Sequence, residues 1–151
     1  MMPVIFLDSS PLGLVFQKPG ISEADECRQW LKSKIDVGAQ IIVPEIICYE
    51  LKRELLRIGN GSAVAALQEF NAAKPGRFLP LNSSALDLAA ELWARSRRQG
   101  KPTADPHALD IDVILSAQVL TSGVPISELV LATSNLAHLS QFVPARLWRD
   151  I

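Results

Sequence analysis

The stretch VIFLDSS, residues 4–10, carries an apolar run into a carboxylate, Asp8, with the hydroxyls of Ser9 and Ser10 behind it. Far along the chain, ELVLATSN at 128–135 repeats the pattern, an apolar run passing into Thr133, Ser134 and Asn135. Two further acidic positions fall in helix-like segments. In PEIICYELKREL the apolar face is Ile47, Leu51, Leu55 and Ile58, which leaves Glu50 at its border. In LDIDVILSAQVL, Asp110 and Asp112 stand at the first turn of a segment that is otherwise apolar almost all round. A carboxylate at the end of an apolar strand costs desolvation unless it is hydrogen-bonded or faces a cation. Carboxylates that converge raise one another's pKa and are best explained by a hard divalent cation with oxygen ligands.

Each position also has an ordinary structural role. Asp8 can close an Asx-turn with Ser10. Asp110 can be an N-cap, with Asp112 favoured by the helix dipole. Glu50 can pair with Arg53, or Glu54 with Arg57, on a solvated helix face. The joint pattern of two strand ends and two acidic helix positions favours a shared site over separate accidents.

These residues need elements to position them. Val4–Leu7 reads as a strand covered on both faces. Ser22–Lys34 reads as a helix with a Ser-x-x-Asp start and Ala24, Cys27, Trp30 and Leu31 at helical spacing. AQIIV, 39–43, is a short strand, and Pro44 opens a helix over Glu45–Ile58. A turn at 59–61 leads into the helix SAVAALQEFNAA. RFLPL, 77–81, is a short strand, and Ser83 or Ser84 caps a helix ending in ARSRRQGK. GKPTADPHA, 100–108, reads as a loop before the buried helix DIDVILSAQVLTSG, and ELVLATSN supplies a last buried strand. This alternation implies an α/β fold with a mostly parallel sheet, in one domain over 1–151. In such sheets, sites form outside the carboxyl ends of the strands, where Asp8 and Asn135 stand.

Composition sets the remaining bounds. A chain of 151 residues with 48% hydrophobic and 21% charged residues has the makeup of one globular domain. With a net charge of −1, no global basic field draws it to nucleic acid, so a polyanion must meet a local patch or a metal. Cys27 and Cys48 form no CxxC pair and read as core residues without a disulfide. The amino terminus has no signal-peptide pattern and no segment has membrane-spanning length, so the expectation is a soluble cytoplasmic protein.

Taken in order, LDSS at 7–10, EIICYEL at 45–51, LDIDVILSAQVL at 109–120 and LATSN at 131–135 resemble the four acidic motifs of the PIN domain, across the full chain. The helix Asp-Val-Ile-Leu-Ser-Ala-Gln is the more specific of these signals. The nearest likeness is to VapC-type ribonucleases, the toxins of bacterial toxin–antitoxin pairs. That resemblance implies a three-layer PIN-like α/β fold and a Mg²⁺- or Mn²⁺-dependent endoribonuclease. It makes Asp8, Glu50 and Asp112 the metal-binding acids and puts Asn135 where a fourth acid usually stands. A metal there would lower the pKa of a bound water that attacks in line, leaving a 3′-hydroxyl and a 5′-phosphate. Ser9 and Ser134 are candidates to orient ligands, and Thr133 to hydrogen-bond the site.

Asn135 departs from the family pattern, and Asp105 and Asp110 are extra acids nearby. On an ideal helix Asp110 and Asp112 lie about 200° apart, so Asp112, whose neighbours match the motif, is preferred and Asp110 held in reserve. His107 could touch substrate, whereas His138 reads as a local cap or packing residue. Arg53, or the basic run Arg95, Arg97, Arg98 and Lys101, is a candidate for RNA phosphates, against ordinary surface charge. The resemblance further implies a homodimer and an antitoxin lying in a groove, to which Trp30, Trp93, Trp148 and the GSAVAALQEF helix could contribute.

Two other α/β classes fit poorly. A phosphotransfer receiver needs paired acids at its first strand and an Asp ending a later central one, which neither AQIIV nor FLPL supplies. A haloacid-dehalogenase-like phosphatase needs Asp-x-Asp, and the third residue here is Ser10. The stronger rival is a PIN-like RNA- or protein-binding module with a weakened metal site, the reading Asn135 favours.

Overall fold

The computed structural model describes residues 2–99 and 106–151, with backbone alone over 106–109. Five strands form one parallel sheet: β1 (Val4–Leu7), β2 (Ile41–Pro44), β3 (Phe78–Leu79), β4 (Leu129–Thr133) and β5 (Ala145–Leu147), in the order β3-β2-β1-β4-β5. The helices between them are α1 (Ser9–Val15), α2 (Ser22–Asp36), α3 (Glu45–Arg57), α4 (Gly61–Ala72), α5 (Ser83–Arg98), α6 (Pro106–Leu120) and α7 (Leu136–Leu139). The result is the expected three-layer PIN-like α/β fold. Central strands with helices on both sides must be apolar on both faces, and Ile5, Phe6, Leu7, Leu131 and Ala132 are fully buried. A second apolar cluster joins α5, through Ala85, Ala89 and Leu92, to α6, through Val113 and Ala117. Among the described residues no helix is long and apolar enough to cross a membrane. Cys27 and Cys48 are buried and free.

Several boundaries differ from the sequence reading. The segment SSPLGLV forms α1, which had no helical signature: Pro11 sits in its first turn, where the missing N–H has no intrahelical partner anyway. Helix α6 begins at Pro106, so Asp110 and Asp112 lie beyond its first turn and neither serves as an N-cap. Ser22 is the first residue of α2 and gives no side-chain cap; Asn82, rather than Ser83 or Ser84, caps α5 by accepting from Ala85 N–H at 2.9 Å. Strand β5 and α7 had no legible pattern, being three and four residues long.

The α3–α4 hairpin is fixed by paired caps. Gly59 adopts φ +74°, the left-handed region that favours glycine, and Asn60 N–H reaches back to Leu55 C=O at 2.9 Å. The Asn60 side chain then caps α4 through Ala63 N–H at 3.1 Å.

Gln118, fully buried on α6, ties three elements together. Its Oε1 accepts from Ile46 N–H at the start of α3, and its Nε2 donates to Leu79 C=O on β3, both at 3.0 Å. Replacing Gln118 by Leu leaves both backbone groups buried without partners, and the expected loss is roughly 2–4 kcal/mol, read from urea unfolding midpoints at constant m.

Candidate active site

Parallel pairing of Leu7 with Ala132 brings the carboxyl ends of β1 and β4 side by side, and Asp8 N–H donates to Ala132 C=O at 3.0 Å. Asp8 is therefore delivered next to Thr133. It is only 7% exposed, and both its oxygens are held: Oδ1 by Ser9 N–H at 2.7 Å, Oδ2 by the Thr133 hydroxyl at 2.7 Å. Asp8 is thus the N-cap of α1 rather than the start of an Asx-turn with Ser10. Ser10 has a different task, accepting from Ser134 N–H at 3.1 Å and so tying the segment after β1 to the segment after β4. Thr133 Oγ1 also accepts from Asn135 N–H at 2.8 Å, which sets the turn leading into α7.

A cavity of about 730 Å³ has walls that include Glu50, Arg53, Asp110, Asp112, Asn135 and His138, while the buried Asp8 is not part of its described lining. Glu50 and Arg53 come from α3, Asp110 and Asp112 from α6, and Asn135 and His138 from the turn and helix after β4. Asp110 and Asp112 thus border the same cavity, contrary to the expectation from helical angle: Asp112 is half-buried, and Asp110 stands exposed at the lip, which it shares with a neighbouring groove. Glu50 makes no ion pair with Arg53, whereas Glu54 does pair with Arg57.

Burial first, and then the charge of Glu50, push the Asp8 carboxyl above its usual value, against the hydrogen bonds from Thr133 and Ser9. Asp112 is pushed up to about 6 by burial and by Asp8, with Glu50 adding to the effect and His138 opposing it. The three acids therefore sense one another's charge. Their all-oxygen chemistry fits a hard divalent cation. Yet among the described residues no three His, Cys, Asp or Glu side chains are drawn into a preformed metal-binding group.

The sequence suggests a local cap or packing role for His138; the structure instead places its Nδ1 3.7 Å from Asp112 Oδ2 and 3.2 Å from Asn135 Nδ2, in the cavity wall. The available signal was its position, within one helical turn of a polar strand end. Tyr49, not singled out in the sequence, also borders the cavity, with the Arg53 guanidinium 5.5 Å from its ring centre. Arg97 and Arg98 stand at the end of α5, Arg97 over the Trp93 ring at 5.2 Å, and neither borders the cavity. Ser9 contributes its N–H to Asp8, with its hydroxyl 3.5 Å away, and Ser134 its N–H to Ser10. Lys101, Asp105 and the side chain of His107 lie outside the described residues.

No protein-family model matches this chain, and no curated protein matches it significantly. Solved structures do match over nearly the whole length. FitAcB from Neisseria gonorrhoeae superposes with a TM-score of 0.68 at 19% identity, covering 98% of this chain and 100% of that one. VapBC2 from Rickettsia felis, bound to a DNA fragment from its promoter, gives 0.67 at 13%, covering 96% and 98%. VapC20 of Mycobacterium tuberculosis, a sarcin–ricin loop cleaving toxin, gives 0.61 at 15%, covering 94% and 98%. At these identities the likeness establishes the fold.

The raised Asp112 pKa makes a prediction about the metal-free protein. Below about pH 4 the carboxyl is protonated whether the chain is folded or not. Above pH 6 it is charged in both states, and the folded state alone suffers the burial and repulsion. Stability from this group is therefore lost as pH rises from 4 to 6. Asp112→Asn should stabilise the metal-free chain at pH 7 by about 1–3 kcal/mol, and a denaturation series should show the gain vanishing near pH 4.

Proposed function

We propose that this chain is a VapC-type, Mg²⁺- or Mn²⁺-dependent endoribonuclease, a single PIN-like domain over 1–151 and the toxin of a toxin–antitoxin pair. The observation carrying the reading is the convergence of three acids from separated segments: Glu50 and Asp112 border one cavity at the carboxyl edge of a parallel sheet, and the charge of the buried Asp8 beside them reaches Asp112. Support comes from the fold shared with FitAcB, VapBC2 and VapC20. A cognate antitoxin and a homodimer belong to the same proposal.

Asp8, Glu50 and Asp112 would hold the metal. When bound, such an ion lowers the pKa of a water and neutralises charge on a phosphodiester. The protein's own contribution is positional. Asp8, with one hydrogen bond to each oxygen, keeps its remaining lone pairs in a fixed direction. Arg53 is the cation in the described cavity wall and can meet a substrate phosphate. Asn135 Nδ2 donates to His138 Nδ1 and so holds the ring beside Asp112.

A non-catalytic RNA- or protein-binding module is the second reading, favoured by Asn135 at the fourth acidic position and by the lack of a preformed metal group among the described residues. Two measurements separate the readings. Calorimetry without RNA should show Mn²⁺ binding that Asp112→Asn abolishes. RNA cleavage should require Mg²⁺ or Mn²⁺, stop with a chelator, and fall by on the order of 100-fold or more in Asp8→Asn and Glu50→Gln. Cleavage that survives both substitutions points to a contaminant, and metal binding absent from the intact protein leaves the module reading.

Arg53→Ala should weaken RNA binding and reduce its salt dependence by about one phosphate contact, a slope change of ~0.7 for a single strand. The double variant Arg97→Ala, Arg98→Ala, away from the cavity wall, should leave that slope unchanged.

A further inference from the structure

A second cavity, of about 350 Å³, opens between α3 and α4 and shares one lining residue, Tyr49, with the acidic one. Tyr49 is 55% exposed, and the Arg53 guanidinium lies over its ring. More than half of that aromatic residue stays in water, without the gain that full burial brings. Behind it the floor is apolar, made by Val64, Leu67 and Phe78. The walls are polar: Lys52 and Gln68 at the surface, Glu45, whose Oε1 accepts from Leu81 N–H at 2.7 Å, and Asn71, whose Nδ2 donates to Cys48 Sγ at 3.2 Å while its Oδ1 is buried without a partner.

Three features choose the occupant. A helix-in-groove partner needs an extended apolar stripe that accepts anchors at i, i+3/i+4 and i+7. This cavity is compact, within the ~300–1,000 Å³ range of small-molecule pockets, and mixes an apolar floor with amides and charges. Lys52 borders it while the adjacent Arg53 borders the acidic cleft, so cations flank Tyr49 on both sides. An exposed ring between two cations is the arrangement that takes single-stranded nucleic acid, with bases on the ring and phosphates on the cations.

We infer that the α3–α4 cavity is a nucleobase subsite: an unpaired base flanking the scissile phosphate stacks on Tyr49, with its backbone running between Arg53 and Lys52. This rests on the ribonuclease reading and adds to it that the substrate is a strand with a free base beside the cut. A paired base cannot turn out of its helix without losing its partner, so duplex RNA is disfavoured.

The test is binding of a fluorescently labelled short single-stranded RNA to the full-length chain, by anisotropy, with Ca²⁺ replacing Mg²⁺ to limit turnover. Tyr49→Ala should weaken binding about tenfold, and Tyr49→Phe, which keeps the ring, should stay within about twofold. Val64→Phe, which fills the floor, should weaken it similarly, with melting by circular dichroism confirming that this variant is folded. An abasic nucleotide placed successively along the RNA should, at one position, reduce wild-type affinity to that of Tyr49→Ala and leave Tyr49→Ala unaffected. If wild-type protein binds and cleaves RNA but Tyr49→Ala binds it equally well, the subsite is refuted and the nuclease reading stands. If the wild type binds no RNA, both fall. Unchanged RNA affinity, with a shift in oligomeric state by light scattering in Tyr49→Ala or Val64→Phe, would make the cavity a contact between copies and overturn the proposal.

Discussion

The burial of one carboxylate organises this site. Asp8 ends β1 at a point where the sheet is covered on both faces, so its charge is taken out of water and must be compensated locally. Compensation comes from two directions: the first N–H of α1 and the hydroxyl of Thr133 on the neighbouring strand. The first is local, and the second depends on register: with Leu7 opposite Ala132, Asp8 falls beside Thr133, and a slip of one residue would turn Asp8 to the other face, away from that hydroxyl. The apolar pattern of β1 and β4 fixes that register, so the packing that stabilises the sheet also aims the acid.

The other acids are brought in against electrostatic resistance. Asp112 lies on a helix whose remaining sides are packed, which holds its carboxyl near Asp8 and Glu50 even though all three repel. Gln118, two turns further along α6, locks that helix to the start of α3 by accepting from Ile46 N–H, one turn before Glu50. The relative placement of Glu50 and Asp112 is thus set by a buried amide and not by their own contacts. Acids assembled this way keep a repulsion that nothing in the described structure neutralises, and a gain in stability on neutralising Asp112 is the expected mark of a group kept for function rather than for folding.

How much of this was legible in the chain follows from which signals are local. The strands containing Asp8 and Thr133 could be read because a doubly covered parallel strand is written as a continuous apolar run. The helix α3 could be read because its apolar face repeats at helical spacing. Helix α1 could not: Pro11 and Gly13 erase the usual pattern, and the cap that starts it is Asp8, whose role as N-cap is visible only when the following residues are seen to be helical. The start of α6 was misplaced for the same reason, Pro106 serving to open a helix where two prolines and a glycine suggest a loop. His138 was undervalued because its proximity to Asp112 depends on how α6 lies against the turn after β4, a tertiary fact with no trace in spacing.

Asn135 acquires a physical role in this setting. A carboxylate at that position would add a fourth repelling charge to a cavity where burial and neighbouring acids already hold Asp112 at about 6. The amide avoids that repulsion and holds the His138 ring by its Nδ1, keeping the imidazole 3.7 Å from Asp112. A charged side chain is thus replaced by a neutral amide that holds an imidazole against Asp112. The Asn135–His138 pair therefore bears on the acids through Asp112, against whose raised carboxyl His138 works.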